Sequence, residues 1–237
     1  MAPVAGRWHR LHPFKQEGVR HAGLSQAVGA ARKNMRQHPT IIVLAAGIGS
    51  RYRGARHKLD EPLGDSCVLG STLGHAIQTQ LPLLVVATAA RLTVVSLQVA
   101  TRDILVLTDA EAARGMGHTI AAGVAERSGA TGWLVLPGDM PLVAPHSMRA
   151  VADALEHNPV VYAQHRGRQG HPVGFSAELY SELVRLTGDD GARRVMARYP
   201  AQGVELDDPG VLLDVDTAAD LHALRARLER PGALTAD

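Results

Sequence analysis

The sequence predicts a three-layer α/β domain with a mostly parallel central sheet. From residue 40 onward, apolar runs of strand length alternate with longer segments of helical pattern, as in βαβ units. The first run, TIIVLAA at residues 40–46, is almost wholly apolar and rich in β-branched residues, which is typical of a central strand buried on both faces. Polar residues follow several strands, at the edge where such sheets bind ligands.

The predicted elements follow one another in a regular order. Strands are predicted at residues 40–46, 82–88, 103–108, 132–138, 160–165 and 211–216. Helices are predicted at residues 66–80, 89–100, 117–129, 144–158, 176–188, 190–200 and 217–230. Pro145 suits the first turn of its helix, Gly129 suits a helix end, and Thr217 is predicted to cap the last helix.

The composition predicts a reduced, cytoplasmic protein of one domain, or two at most. The chain has 237 residues, of which 46% are hydrophobic, enough for a sizeable core. Its one cysteine, Cys67, excludes an internal disulfide framework. No apolar run approaches the roughly 18–20 residues of a spanning helix, and the N-terminal stretch lacks the apolar core of a secretory signal. Aromatic residues make up 3% of the chain, which disfavours a stacking platform for single-stranded nucleic acid.

The charges are unevenly distributed along the chain. Residues 1–39 hold seven lysines and arginines and one acid, a net charge of +6, whereas the remainder holds 18 bases and 22 acids. Basic arms can bind nucleic acid or anionic surfaces, but the few apolar residues here favour a disordered extension before a domain at residues 40–237. Met35 lies just before the first strand, so a natural start at Met35 is an equal alternative.

A basic, glycine-rich loop follows the first predicted strand. The P-loop pattern fails because Gly54 is not followed by Lys and Ser or Thr, and the dinucleotide pattern fails because Tyr52 stands where it needs a glycine. What remains is a glycine turn with Arg51 and Lys58, which can hold an anion by a guanidinium and an ammonium. A solvated basic turn is the alternative, and the buried strand before it favours the anion site.

Three carboxylates follow apolar strands. Asp139 comes directly after WLVLPG, and the segment LLDVDT places Asp214 and Asp216 on one face of a predicted extended segment. One of this pair beside Asp139 would make a two-carboxylate Mg²⁺ site facing a polyphosphate. The alternatives are a turn or helix-capping role for Asp139, and a cap formed by Asp216 with Thr217.

Two further segments are candidates for ligand contact. Gly115 and Gly117 stand just before a predicted helix, where backbone can approach a flat or anionic group, although a flexible helix entry fits equally well. In GRQGHPVGF, residues 167–175, His171 is predicted in a tight turn between Gly170 and Pro172. A histidine there could bind an acceptor phosphate or act as an acid or base.

Six segments in sequence order resemble the MobA-like nucleotidyltransferase family, within the larger glycosyltransferase-A-like group. They are LAAGIGSRYRG followed by HKL, RGMGHTIAAGV, LPGDMPLV, GHPVGF, GDDGARRV and DVDTAADL. The resemblance covers about residues 40–230 and implies the nucleotide-diphospho-sugar transferase fold. Within the family, LAAG and GHPVGF are most similar to the molybdenum cofactor cytidylyltransferases.

The resemblance implies roles for individual residues. It implies nucleotide binding by Leu44, Ala45, Ala46, Gly47, Gly49, Arg51, Lys58, Gly115, Gly117 and Thr119. It implies Mg²⁺ ligation by Asp139 and Asp216, catalytic roles for Arg51, Lys58 and Asp139, and acceptor contact by Gly170, His171 and Pro172. The chain departs from the family pattern at Arg53, which lengthens the approach to Lys58, so His57 or Arg56 could reach the phosphates instead.

The resemblance also implies a reaction. The terminal phosphate of molybdopterin would attack the α-phosphorus of CTP in line, and pyrophosphate would leave, with positioning and charge neutralisation supplied by the protein and Mg²⁺. The expected partners are CTP or GTP, molybdopterin, and a molybdoenzyme or its maturation chaperone, with no nucleic acid and no membrane. Three alternatives stay open: a GTP-dependent guanylyltransferase, a sugar-1-phosphate nucleotidyltransferase, and a non-catalytic nucleotide-binding regulator.

Overall fold

A computed structural model describes residues 38–49, 52, 54 and 56–228. The strands are β1 (Thr40–Ala45), β2 (Pro62–Leu63), β3 (Ser66–Cys67), β4 (Leu83–Thr88), β5 (Ile104–Leu107), β6 (Gly132–Pro137), β7 (Val160–His165), β8 (Arg168–Ser176) and β9 (Ala201–Glu205). The α-helices are α1 (Val68–Gln78), α2 (Leu92–Val95), α3 (Asp109–Ala112), α4 (Met116–Glu126), α5 (Pro145–Ala154), α6 (Tyr180–Leu183), α7 (Arg193–Met196) and α8 (Ala218–Leu228). Apart from residues 38 and 39, the predicted basic extension lies outside the described residues.

Seven strands form one sheet in the order β5-β4-β1-β6-β8-β7-β9. The pairs β1–β4, β1–β6, β4–β5 and β7–β9 are parallel. Strand β8 is antiparallel to both of its neighbours, β6 and β7. Since only β8 runs against the others, the predicted mostly parallel sheet is confirmed.

Helices cover both faces of the sheet, which explains why β1 is continuously apolar. Ile41 and Val43 pack into a cluster that includes Leu69 of α1 and residues of α5 and α8. Ile42, which points to the opposite face, packs into a second cluster with Ile120 of α4. The three predicted layers are therefore present, with a hydrophobic core on each side of the sheet.

The strand order of the sheet reverses beside β1. The chain runs outward from β1 to β4 and β5 on one side, and continues with β6 on the other. A crevice opens at such a reversal of strand order, beyond the carboxyl ends of the strands. The backbone N–H of Gly138 donates to the carbonyl of Leu44 at 2.9 Å, so β1 and β6 stay together up to the loops that leave them.

Two predictions near β8 were wrong. Residues 167–175 do not form a turn around His171, because β8 inserts between β6 and β7 and its Phe175 is fully buried. The turn lies earlier, at Arg166 and Gly167, whose φ angles of 50° and 74° suit a two-residue hairpin loop. The predicted strand at residues 211–216 is also absent, since a 3₁₀ helix, Pro209–Leu212, occupies its start.

Other differences concern short elements. The helix predicted at residues 89–100 is reduced to α2 and flanking turns, consistent with its β-branched content. The helices predicted at residues 176–188 and 190–200 are reduced to α6 and α7, between which Gly188 and Gly191 have φ angles of 76° and 56°. Strands β2, β3 and β9 were not predicted. The cap of α8 is confirmed, because the backbone N–H of Asp220 donates to Thr217 Oγ1 at 3.2 Å.

No helix in the part of the chain that the structure describes is long and apolar enough to cross a membrane.

Candidate active site

A cleft of about 350 Å³ lies at the carboxyl end of the sheet. The loop after β1, the start of α4 and the loop after β6 all contribute to its walls. Of the residues predicted to bind nucleotide or metal, those that line the cleft are Leu44, Gly47, Gly49, Lys58, Gly115, Thr119 and Asp139. Three segments that are far apart in sequence therefore meet around one cavity, as the sequence predicted.

Lys58, which lines the cleft with Asp139, contacts two of the predicted carboxylates. Its Nζ lies 2.5 Å from Oδ2 of Asp139 and 2.9 Å from Oδ1 of Asp216. The side chain of Lys58 is only 13% exposed and that of Asp139 14%, so water screens these pairs less than it screens surface pairs. Burial alone would lower the pKa of Lys58, but its contacts with Asp139 and Asp216 outweigh burial and raise that pKa.

Backbone and side-chain hydrogen bonds fix the two carboxylates in place. The hydroxyl of Thr72, buried in α1, donates to the carbonyl of Gly138 at 3.0 Å and so holds the peptide that precedes Asp139. The backbone N–H of Val215 donates to the carbonyl of Asp139 at 3.0 Å, which brings the segment carrying Asp216 alongside. An added Cβ at Gly138 would lie 2.9 Å from the carbonyl oxygen of Leu44, so this turn requires a glycine.

The carboxylate pair fits a divalent cation whose other ligands come from outside the protein. Oδ1 of Asp139 is buried and has no hydrogen-bond partner, a costly arrangement that a cation would relieve. Among the described residues there is no group of three or more histidines, cysteines, aspartates or glutamates that could hold a metal ion. Two carboxylates that share a cation with phosphate oxygens and water are the usual protein contribution to an Mg²⁺ site.

Asp214 is the exposed neighbour of this pair. Although the residue as a whole is exposed, partial burial of its carboxyl group, together with the charges of Asp216 and Asp139, raises the pKa of Asp214. Unlike Asp139 and Asp216, Asp214 makes no ion pair with Lys58. Residues 211–216 do not form the predicted extended strand, but they still bring Asp216, rather than Asp214, into contact with Lys58.

His57 anchors the glycine loop rather than extending into the cleft as a free cation. Its Nδ1 accepts from the backbone N–H of Leu59 at 3.2 Å, so Nε2 carries the proton and donates to the carbonyl of Gly47 at 3.0 Å. Burial, followed by the charges of Arg91 and Lys58, lowers the pKa of His57. The neutral ring therefore ties Gly47 to the segment that carries Lys58. Arg51 lies outside the described residues.

This arrangement predicts a pH dependence of stability. Because folding lowers the pKa of His57 below its ordinary value of 6.5, the unfolded chain binds more protons than the folded chain just below that pH. The contribution of His57 to stability is therefore complete above pH 6.5 and declines as pH falls toward its folded pKa. We expect His57→Gln to reduce this loss when the free energy of unfolding is measured across that range. His222→Gln, on the exposed surface of α8, is the control, and an equal effect of both changes would contradict the assignment.

Gly115, the N-cap of α4, and Gly117, in its first turn, both pack against another segment of the chain. The backbone N–H of Gly117 donates to the carbonyl of Gly188 at 2.8 Å, and an added Cβ at Gly117 would lie 2.8 Å from the carbonyl oxygen of Thr187. Gly115, with a φ angle of 97°, also lies against Gly188, yet it still lines the cleft. Gly117 therefore serves close backbone packing, and Gly115 serves both packing and the cleft.

The predicted acceptor residues lie in β8, beyond the carboxylates. Gly170 is buried against the 3₁₀ helix, where an added Cβ would lie 2.1 Å from the carbonyl oxygen of Val211. Pro172 is buried and His171 partly buried. Burial, followed by the charge of Arg193, lowers the pKa of His171, and the charge of Asp139 opposes this. The carboxylate of Asp139 and the guanidinium of Arg193 therefore both act electrostatically on His171.

Sequence reasoning missed two residues of the GDDGARRV segment. Asp189 lines the cleft, and Arg193 lies near His171. Arg194 pairs with Asp190 at 3.0 Å, whereas Arg193 makes no ion pair with any residue in the described part of the chain. The resemblance included this segment without giving it a role, and its importance depends on packing that a sequence does not display.

A smaller cleft of about 300 Å³ adjoins the first and shares Gly47, Ile48 and His57 with it. Ala46, which was predicted to bind nucleotide, lines this second cleft. Its far wall holds Arg91, which forms an ion pair with Asp60. Ala45, also predicted to bind nucleotide, is instead packed in the core.

Comparison with known proteins gives a consistent result. A family model described as the MobA-like NTP transferase domain matches residues 41–204. Purine catabolism protein PucB of Bacillus subtilis strain 168 is 32% identical over 120 residues, a match that covers 48% of this chain and 58% of PucB. The chain thus matches little more than half the length of that curated relative.

Two solved structures are similar over nearly their whole length. The crystal structure of Rv0371c from Mycobacterium tuberculosis H37Rv is 31% identical, with a TM-score of 0.69, and the match covers 80% of this chain and 98% of that one. A structure of Rv0371C in complex with manganese is 29% identical, with a TM-score of 0.66 and the same coverage of both chains, 80% and 98%. These similarities confirm the predicted fold and family.

Proposed function

Because the chain belongs to the MobA-like NTP transferase family, we propose that it transfers CMP from CTP to the terminal phosphate of molybdopterin and releases pyrophosphate. The observation that carries this proposal is the contact of Lys58, which lines the cleft, with both Asp139 and Asp216. A lysine and two carboxylates at a glycine loop are what a metal-assisted attack on a nucleoside triphosphate requires. A regulator that only bound nucleotide would need no such pair.

Different residues would bind the metal, neutralise the pyrophosphate and contact the nucleotide. Asp139 and Asp216 would hold Mg²⁺, which when bound supplies positive charge to the phosphate that is attacked. The manganese in the similar Rv0371C structure supports a divalent metal here. Lys58, and Arg51 outside the described residues, would neutralise the charge on the departing pyrophosphate. The backbone of Gly47 and Gly49, held by His57, would lie against the nucleotide.

The acceptor would approach from β8. We expect His171 and Arg193 to face its phosphate, since the charges of Asp139 and Arg193 both act on the ring of His171. Before attack, the acceptor phosphate must be held in line with the α-phosphorus, and a guanidinium without an ion pair is suited to that. The name of PucB points to purine catabolism, which supports a molybdoenzyme of that process, or its chaperone, as partner. Such a reaction would take place in the cytoplasm.

The acceptor side yields a second prediction. We expect Arg193→Ala to raise the KM for molybdopterin about 10-fold or more, because one charge-assisted hydrogen bond to the phosphate is lost. The KM for CTP should change little. Arg194→Ala is the matched control, since Arg194 pairs with Asp190. Equal effects of the two changes on the KM for molybdopterin would contradict the role of Arg193.

Pyrophosphate release tests the substrate assignment. The chain would be incubated with Mg²⁺ and either CTP or GTP, with molybdopterin, with a sugar 1-phosphate, or with no acceptor. We expect release to need molybdopterin and to be faster with CTP. Preference for GTP would indicate a guanylyltransferase, dependence on the sugar phosphate would indicate a sugar-nucleotide enzyme, and binding without release would indicate a regulator.

A further inference from the structure

We propose that Lys58 is an internal cation that holds the metal site closed until a nucleotide arrives, so that metal and nucleotide bind together. The proposal rests on the metal role suggested above for Asp139 and Asp216. It goes further by giving Lys58 two positions, one on the carboxylates and one on the phosphates. A consequence is that loss of Lys58 should strengthen metal binding to the protein without nucleotide.

The ammonium of Lys58 occupies the position that a cation shared by Asp139 and Asp216 would need. A cation shared by Asp139 and Asp216 would have to lie within bonding distance of an oxygen from each carboxylate. The ammonium of Lys58 already lies there, 2.5 Å from one carboxylate and 2.9 Å from the other. It makes hydrogen bonds to both, so it satisfies an oxygen of each that a metal would otherwise use. Lys58 and a metal ion therefore compete for the same pair.

The charge of Lys58 would also repel a divalent ion bound at the carboxylates. A divalent ion placed on these carboxylates would stand a few ångströms from the lysine charge, inside a cleft where water screens poorly. Of the three neighbouring carboxylates, only Asp139 and Asp216 pair with the lysine, and their two negative charges are fewer than the three positive charges of one lysine and one divalent cation. Oδ1 of Asp139 is buried without a partner and offers a metal one contact, but a single carboxylate oxygen is a weak site. Metal binding to the protein alone should therefore be weak.

Movement of the Lys58 side chain from the carboxylates to the phosphates would open the site. Lys58 ends in a compact charge on a flexible four-carbon stem, so it can move by rotation of its side chain without moving the backbone. Its backbone lies in the short helix Lys58–Asp60, which is fixed by the His57 cap. A triphosphate in the cleft brings enough negative charge to attract the ammonium and to neutralise both cations. The carboxylate oxygens that Lys58 had occupied then become available to the metal that the nucleotide carries.

The test measures metal affinity directly. Binding of Mn²⁺ alone to the full chain would be followed by the electron paramagnetic resonance signal of the free ion, without nucleotide. We expect Lys58→Met to bind Mn²⁺ at least about 10-fold more tightly than the unchanged protein, since the competing cation is gone. Lys58→Gln, which keeps a hydrogen-bond donor but no charge, should behave in the same way and serves if the methionine variant does not fold. Arg194→Met removes an exposed charge from another place and should leave the affinity unchanged.

Two outcomes separate this inference from the proposed function. If Asp139→Asn abolishes Mn²⁺ binding but neither Lys58 variant tightens it, the closing role of Lys58 is wrong and the metal role stands. If Asp139→Asn leaves Mn²⁺ binding unchanged, the metal role itself is wrong. With CTP present, the advantage of the Lys58 variants should disappear, because the lysine has then moved to the phosphates in the unchanged protein. An advantage that persists with CTP would also overturn the proposal.

Discussion

Replacement of Asp139 by asparagine is expected to lower nucleotidyl transfer by on the order of 10²-fold or more, with the fold retained. Asparagine has nearly the same size and keeps the backbone carbonyl that accepts from Val215 at 3.0 Å. Lys58 also keeps Asp216 as a partner, so it is not left without a counter-charge. What is lost is the carboxylate that would hold the metal against the α-phosphate. Initial rates of pyrophosphate release at saturating CTP and Mg²⁺ measure the effect.

The control for Asp139 is Asp214→Asn. It removes a charge from the same neighbourhood, but Asp214 does not contact Lys58 and its side chain is exposed. We expect transfer by this variant to stay within about threefold of the unchanged protein, as for a surface charge without a direct contact. An Asp139→Asn variant that remained folded and equally active would refute the metal role of Asp139.

Gly170→Ala is expected to destabilise the protein by about 3 kcal/mol, at the upper end for overpacking of a core. The added Cβ would lie 2.1 Å from the carbonyl oxygen and 2.8 Å from the carbonyl carbon of Val211, both backbone atoms. Either β8 or the 3₁₀ helix Pro209–Leu212 must therefore move. The free energy of unfolding in urea measures the loss. Because residues just beyond this helix carry Asp216, we also expect weaker Mn²⁺ binding in the surviving folded protein.

Gly129→Ala is the matched control, because an added Cβ there meets nothing within 4 Å. We expect its free energy of unfolding to change by no more than about 0.5 kcal/mol, as for most surface substitutions. If Gly170→Ala were as stable as Gly129→Ala while acceptor binding was lost, Gly170 would serve the acceptor directly. Such a result would support the acceptor role that the family resemblance implies for Gly170.

The sheet could be predicted where the sequence itself carries the signal. Residues 132–138 read as a buried strand ending in a glycine and Asp139, and β6 ends at Pro137 with Asp139 in the next turn. The hairpin of β7 and β8 could not be predicted. Gly170 is required by its close contact with the backbone of Val211, and the sequence does not show that contact. The stretch HPVGF therefore reads as a turn although it is a strand.

The strand prediction for residues 211–216 was wrong for a similar reason. Its apolar, alternating residues suggest a strand, but the buried carboxylate of Asp208 accepts from Ala144 N, Ser147 Oγ and Gly210 N, at 2.9, 2.6 and 2.9 Å. These bonds favour the 3₁₀ helix that begins at Pro209. Long-range hydrogen bonds thus decide the local conformation, and local propensity is overridden.

The site was predicted in outline and misjudged in detail. The order of motifs brought Lys58, Asp139 and Asp216 into one proposal, and the structure places them in contact. The direct pairing of the lysine with the carboxylates was not foreseen, because Lys58 was assigned to the triphosphate alone. Arg193 was overlooked since its value depends on its nearness to His171 and on the lack of an ion pair among the described residues.

The most direct test of the central proposal is to follow the α-phosphorus of CTP into product. The chain would be incubated with Mg²⁺, molybdopterin and CTP labelled at the α-phosphorus. The products would then be separated and identified by mass spectrometry. We expect the label to appear in a dinucleotide of molybdopterin and CMP, with one pyrophosphate released for each, and Asp139→Asn to form almost none. Label found only in unreacted CTP or free CMP, with no dinucleotide, would contradict it.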